Sequence, residues 1–139
     1  MNNIIQEDFK KLEGQYKDIL SELGGKTIYI TGACGMITTY LNFFLLTLAD
    51  NYHLNLFLQC RNTEKAKIRF SKYSNDPHLI FIPYDVKFPF IQDNLGIIDY
   101  VLHLASNTHP LQYSTDPIGT ITTNIIGLQN MLEFAVEHD

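Results

Sequence analysis

The chain has no apolar run of about 18 residues, so nothing in it reads as a membrane span, and its polar, mixed-charge start does not read as a signal peptide. Its two cysteines, Cys34 and Cys60, lack C-x-x-C spacing and give neither a disulfide framework nor a metal-ligand set. A reduced, cytoplasmic setting is the expectation. Positive charge is scarce: the formal net charge is −5 and the pI about 5.4, and Lys and Arg cluster only at Lys65, Lys67 and Arg69. Nucleic-acid binding needs a basic face and is not expected; the trio reads as a solvated helix face. Internal repeats and low-complexity tracts are also missing.

What is present is one stretch around which the rest is organised, Thr27-Ile28-Tyr29-Ile30-Thr31-Gly32-Ala33-Cys34-Gly35-Met36-Ile37-Thr38. An apolar β-branched run stops at a glycine-bearing turn and passes into a helical pattern, as in the strand, phosphate loop and helix start of a dinucleotide-binding unit. A pyrophosphate needs backbone N–H donors and the positive end of a helix dipole, and approaches closely only where side chains are absent. Gly32 and Gly35 supply that absence, while Thr38 stands where a third glycine would complete T-G-x-x-G-x-x-G.

With 139 residues and 45% hydrophobic content, the chain suffices for one domain with its own core. Residues 1–25 are expected to form an amphipathic helix, with Ile5, Phe9, Leu12, Tyr16, Ile19, Leu20 and Leu23 on its apolar face. Gly14 weakens this helix by roughly 1 kcal/mol relative to Ala, and Gly24-Gly25 ends it. The helix either packs on its own domain or binds a partner. Residues 26–139 then alternate strand and helix patterns. A helix over 37–49 buries Leu41, Phe44, Leu45 and Leu48 and closes at Asp50-Asn51, and a second strand covers 54–60. Asn62 or Thr63 caps a helix over 64–73, a third strand covers 79–86, a loop 87–96 and a fourth strand 98–105. After a polar loop over 106–115, Asp116-Pro117 starts a last helix to about Glu137, with Ile121, Ile125, Leu128, Leu132 and Ala135 along one face. Right-handed crossovers make this an α/β, Rossmann-type, doubly wound parallel sheet, incomplete at about four strands, with an extra amino-terminal helix.

Strand ends carry the candidate chemistry. A carboxylate about 20 residues beyond the loop would hold the ribose 2′-hydroxyl of NAD, and a basic residue there suits the 2′-phosphate of NADP. This chain offers Cys60-Arg61-Asn62, so Arg61 is either a ribose-phosphate contact or a solvent-facing Arg, and NADP is slightly favoured. Asp85 is either an adenine contact or a turn carboxylate. Ala105-Ser106 let a strand end approach a cofactor closely, and His103 reads as a satisfied core histidine rather than a catalytic one.

Several of these stretches agree with one family. Thr31-Gly32-Ala33-Cys34-Gly35-Met36-Ile37, Asp85-Val86 and His103-Leu104-Ala105-Ser106 resemble the phosphate loop, adenine-side aspartate and H-x-A-[AS] strand end of the extended short-chain dehydrogenases/reductases that act on nucleotide sugars as epimerases, dehydratases or decarboxylases. Residues 116–133, DPIGTITTNIIGLQNMLE, are similar to that family's D-P-x-x-T-x-x-x-N-x-x-G-T-x-N-L-L-E, with Leu128 where Thr is common. The resemblance covers about residues 26–138, and dehydratases or decarboxylases of surface-polysaccharide synthesis look most similar. It implies NAD or NADP as cofactor and a nucleotide-sugar substrate. Gly32, Ala33, Cys34, Gly35, Met36 and Ile37 would surround the pyrophosphate, Arg61 would meet the adenosine ribose, and Asp85 and Val86 the adenine. Leu104, Ala105 and Ser106 would border the nicotinamide ribose, and Asn124 would tie the framework together. Thr38 would push its helix outward and weaken binding. A homodimer through helix 117–137 is implied too.

Family chemistry also uses a Tyr with Lys four residues on. None of the eight Tyr here has Lys at that distance, so no catalytic residue is assigned and the chain reads as a cofactor-binding fragment, inactive alone. A non-catalytic dinucleotide-fold module and an NADP-dependent reductase of small carbonyls are the alternatives.

Overall fold

The computed structural model describes residues 2–90 and 94–138. Four parallel strands, β1 (Thr27–Ile30), β2 (Asn55–Cys60), β3 (Leu79–Pro83) and β4 (Tyr100–Leu102), form one sheet in the order β3-β2-β1-β4. Register places Ile28 between Leu56 and Tyr100, and Cys60 opposite Pro83. Pro83 donates no ladder bond, which an edge strand tolerates.

Alternation divides the core between the two sheet faces. Ile28, Ile30, Leu56 and Leu58 join Leu45, Leu48, Ala49, Ala66 and Phe70 on one side, against α3 (Met36–Tyr52) and α4 (Thr63–Arg69). Tyr29, Phe57 and Ile82 point the other way, onto Val86, Phe90, Met131 and Phe134. Both faces are covered, and the central strands are accordingly mostly apolar, with Gln59 of β2 a buried polar exception.

The amino-terminal helix is two pieces, α1 (Asn3–Gln15) and α2 (Lys17–Ser21), broken at Tyr16. It packs on its own domain: Phe9 is buried with its ring 5.1 Å from Tyr40 and 5.3 Å from Phe44 of α3. Ile4, Tyr16 and Ile19 stay exposed. Helix α3 passes the expected stop at Asp50-Asn51 and ends where His53 adopts a left-handed conformation, φ 53°, its N–H donating to Ala49 O. Asn62 caps α4 by accepting from Lys65 N at 2.9 Å; Ala66 and Phe70 are buried, but Ile68 faces solvent. The third and fourth strands are shorter than the apolar runs that announce them. In β4 the reason is local: just past its end Thr31 Oγ1 accepts the amides of Leu104 at 2.9 Å and Ala105 at 3.0 Å, in place of a ladder partner.

Residues 110–115, expected as loop, form the helix α5 (Pro110–Thr115). The last helix begins as expected, with Asp116 accepting from Gly119 N, but has three sections: α6 (Pro117–Ile121), a π turn (Thr122–Ile126) and α7 (Gly127–Glu137). Thr122 Oγ1 and Thr123 Oγ1 donate to Ile118 O and Gly119 O, both at 2.8 Å, and such back-bonding distorts helices. Gly127 N–H accordingly reaches five residues back, to Thr122 O.

The face of this helix that meets the sheet is not the expected one. Thr123, Gly127, Asn130, Met131 and Phe134 are buried, whereas Ile121, Ile125, Leu128 and Leu132 are exposed. Close approach decides: a Cβ on Gly127 would lie 2.9 Å from Val86 Cγ2, and Asn130 Nδ2 donates to Val86 O at 2.7 Å. At the far edge, Asp99 accepts from Lys26 Nζ and Thr27 N, both at 2.8 Å, and these bonds hold its carboxyl below the usual range.

Candidate functional site: the cleft at the carboxyl edge of the sheet

The sheet order reverses between β1 and β4, and at their carboxyl ends lies a cleft of about 320 Å3. Open α/β sheets bind ligands at such a switch point. Its floor is the turn after β1. Gly32 has φ 66°, and a Cβ there would sit 2.8 Å from Ala105 Cα and from Leu104 O, so only glycine lets the turn lie against the end of β4. Gly32 N–H donates to Gln59 Oε1 at 3.1 Å, Ala33 N–H to Gln59 O at 3.1 Å, and Gly35 N–H to Gly32 O at 2.9 Å.

Gly35 is the N-cap of α3 and offers no side-chain cap. The first-turn amides of a 17-residue helix are therefore left for solvent or an anion, and the dipole favours an anion. This donor set fits a pyrophosphate. Thr38 is buried, and a Cβ on Gly35 would come within 3.3 Å of its Oγ1: the bare Gly35 makes room for Thr38.

Of the residues singled out in the sequence, Gly32, Ala33, Cys34, Gly35, Arg61, Asp85, Val86, Leu104, Ala105 and Ser106 all line the cleft. Met36, Ile37 and Asn124 do not; Met36 and Ile37 turn their side chains to solvent and contribute at most their amides. Asn124 acts from behind, its Oδ1 accepting from Ser106 Oγ at 3.0 Å and Asn107 N at 3.3 Å. The π turn holds both Asn124 and the cleft-lining Thr123, and such bulges recur at functional sites.

Sequence reasoning did not assign Gln59, Cys60, Asn62, Lys65, Asn107 and Thr123 to the lining. Gln59 is buried and bridges two segments, accepting from Gly32 N and donating through Nε2 to Tyr84 O. The basic trio is exposed, as expected of a solvated face, but its members are engaged differently: Lys67 pairs with Glu64 at 2.9 Å, Lys65 lines the cleft, and Arg69 Nη1 donates to Cys34 O at 2.8 Å and Thr39 Oγ1 at 2.9 Å, holding the loop from below.

Two titrating groups flank the cleft. Cys60 is buried, which pushes its thiol up to about 11 with a smaller contribution from Cys34, so it stays protonated at neutral pH. His103 is half-buried and its pKa is lowered by desolvation. Thr31 Oγ1 already accepts two amides, so its hydroxyl proton is free for His103 Nδ1 at 3.0 Å. The ring is then neutral with its proton on Nε2: a satisfied histidine, as its apolar surroundings suggest. Asp85 accepts from Lys87 N at 3.1 Å and lies 3.6 Å from Lys87 Nζ, so it is at once a turn carboxylate and part of the cleft wall. Among the described residues no cluster of His, Cys, Asp or Glu could hold a metal ion, and no helix is long and apolar enough to cross a membrane.

Sheet order, glycine turn and cleft define an α/β protein of the Rossmann type. The chain belongs to the NAD dependent epimerase/dehydratase family, whose model matches residues 28–139. It is similar to UDP-glucuronic acid decarboxylase 4 of Arabidopsis thaliana, 28% identical over 91% of this chain and 29% of the relative. It is also similar to UDP-glucuronic acid decarboxylase 1 of Danio rerio, 32% identical over 84% of this chain and 26% of the relative. The chain thus spans less than a third of either relative. The solved structure of Pen from Bacillus thuringiensis shares the fold, with TM-score 0.68 and 20% identity over 84% of this chain and 35% of that one.

Proposed function

We propose that this chain is the cofactor-binding portion of an NAD(P)-dependent enzyme that remodels a nucleotide sugar. The observation that carries the reading is the uncapped amino terminus of α3, opening between Gly32 and Ala105 at the switch point of the sheet. Gly32, Ala33, Cys34, Gly35, Met36 and Ile37 surround the pyrophosphate, with the amides of Cys34, Met36 and Ile37 as its donors because those of Gly32, Ala33 and Gly35 already bond Gln59 and Gly32. Arg61 meets the adenosine ribose and tips the choice toward NADP, and Asp85 and Val86 flank the adenine. Leu104, Ala105 and Ser106 border the nicotinamide ribose, with Asn124 orienting Ser106 through their hydrogen bond. Nicotinamide chemistry supplies transient hydride transfer at a sugar carbon. The decarboxylase relatives favour a uronic-acid or related sugar nucleotide as substrate of the whole protein.

In this reading residues 26–139 form the dinucleotide domain, residues 1–25 an arm packed on it, and the exposed stripe of the last helix a homodimer contact. The free thiols of Cys34 and Cys60 accord with a cytoplasmic setting. A binding module without chemistry of its own is favoured by one observation: no Tyr in the chain is followed by Lys four residues later, so the chain alone binds without turnover. With no tryptophan in the chain, the fluorescence of added NADH or NADPH gives a clean binding signal. Saturable enhancement is expected. A folded sample that leaves millimolar dinucleotide unbound overturns the reading.

A further inference from the structure

Resting on that dinucleotide reading, we propose that the adenosine end of the cleft is built for a phosphomonoester on the ribose, the 2′-phosphate of NADP, held jointly by Arg61 and Lys65. Four cations lie within nine residues, and the structure divides them. Lys67 is spent on Glu64, and Arg69 on Cys34 O and Thr39 Oγ1. Arg61 and Lys65 both line the cleft, and neither is ion-paired among the described residues. The Asn62 cap, accepting from Lys65 N, starts α4 so that Lys65 comes one turn after Arg61. Two like charges this near each other repel, and a dianion between them removes that repulsion while accepting charge-assisted hydrogen bonds from both.

The same region is poor for an unphosphorylated ribose. A free 2′,3′-diol is held by an acceptor at the end of the second strand. Here β2 ends on Cys60, a buried thiol and weak acceptor. The neighbouring side-chain acceptors are already engaged, Gln59 Oε1 by Gly32 N and Asn62 Oδ1 by Lys65 N. Asp85, the one carboxylate in the lining, lies on the segment after β3, beside the end of β2 where Tyr84 N donates to Cys60 O at 3.3 Å, but it is already paired with Lys87.

The test is calorimetric titration of the 139-residue chain with NADP+, NAD+, 2′-AMP and 5′-AMP, repeated on Arg61→Ala, Lys65→Ala, the double variant and Lys67→Ala. All three positions are exposed, and circular dichroism checks that each variant folds. NADP+ is expected to bind about tenfold or more tightly than NAD+, and 2′-AMP more tightly than 5′-AMP. Arg61→Ala and Lys65→Ala should each weaken NADP+ by about tenfold with little change for NAD+, the double variant should equalise the two, and Lys67→Ala should change nothing. Equal or tighter NAD+ binding overturns the proposal while leaving the cofactor cleft standing, and a Lys65→Ala that behaves like Lys67→Ala overturns the joint role. Binding of neither dinucleotide defeats the reading of the cleft itself.

Discussion

Gln59 holds Gly32: its buried side-chain oxygen accepts the Gly32 N–H at 3.1 Å while its amide nitrogen donates to Tyr84 O. One side chain thereby fixes the turn after β1 against the segment after β3. Gln59→Leu keeps the volume but orphans a half-buried donor, Gly32 N–H, and a half-buried acceptor, Tyr84 O, for a loss of about 1–3 kcal/mol. A lower denaturant midpoint at unchanged slope is the expected measurement, together with weaker dinucleotide binding.

Glycines at two positions should respond in opposite directions to alanine. At Gly32, positive φ and the contact with Ala105 oppose any side chain, and Gly32→Ala should cost about 1–3 kcal/mol. At Gly14, in α1, nothing lies within 4 Å of an added Cβ, and Gly14→Ala should raise stability by about 0.5–1 kcal/mol. Thermal melts of the two variants decide both.

Tyr29 is fully buried among Phe90 and Phe134, its hydroxyl without a partner among the described residues, and burial raises its pKa far above the ordinary phenol value. Tyr29→Phe removes that uncompensated hydroxyl and keeps the ring. Stability should rise by about 1 kcal/mol, read as an increase of several degrees in Tm.

Acid should weaken the fold through His103. Its folded pKa lies below the unfolded value, near 6.5. Above both values the group contributes no pH dependence. As pH falls through 6.5 the unfolded chain takes up the proton first, so stability declines until the folded pKa is passed and then levels off. A His103 ring titrating by NMR at or above 6.5 contradicts the neutral, Thr31-bonded form.

The last helix exposes Ile118, Ile121, Ile125, Leu128, Leu132 and Val136, a stripe that invites a second copy. Sedimentation should show concentration-dependent dimers, and Ile125→Glu with Leu132→Glu should return them to monomer without lowering Tm. A monomer at high concentration in the unaltered chain rules this contact out.

The strand and helix order was legible because short apolar runs alternate with a pattern of period about 3.6 from Thr27 to Cys60, and because glycine, Asn62 and Asp116 mark turns and caps by their local chemistry. Ten of the cleft residues were legible because they sit at strand ends, Val86 and Leu104 among them through the family resemblance alone. The buried face of the last helix was not. It carries an apolar stripe and a stripe of Thr, Gly and Asn, and the second faces the sheet because Val86 leaves no room for a side chain at Gly127 and offers Asn130 an acceptor. Gln59 and Lys65 were invisible because a glutamine between apolar residues and a lysine on a helix look the same whether or not a cleft lies beside them. Strand lengths failed where a hydroxyl, that of Thr31, replaced a neighbouring strand.

The π turn at Thr122–Ile126 lets one helix serve two directions. Within it Thr123 and Asn124 face the end of β4; beyond it the phase aims Asn130 and Phe134 at the sheet. A regular helix through the same points would be one residue shorter, and each residue carries about 100° of rotation. Deleting a single residue between 122 and 126 should thus leave an intact, even straighter helix that can aim at the cleft or at the core but not at both.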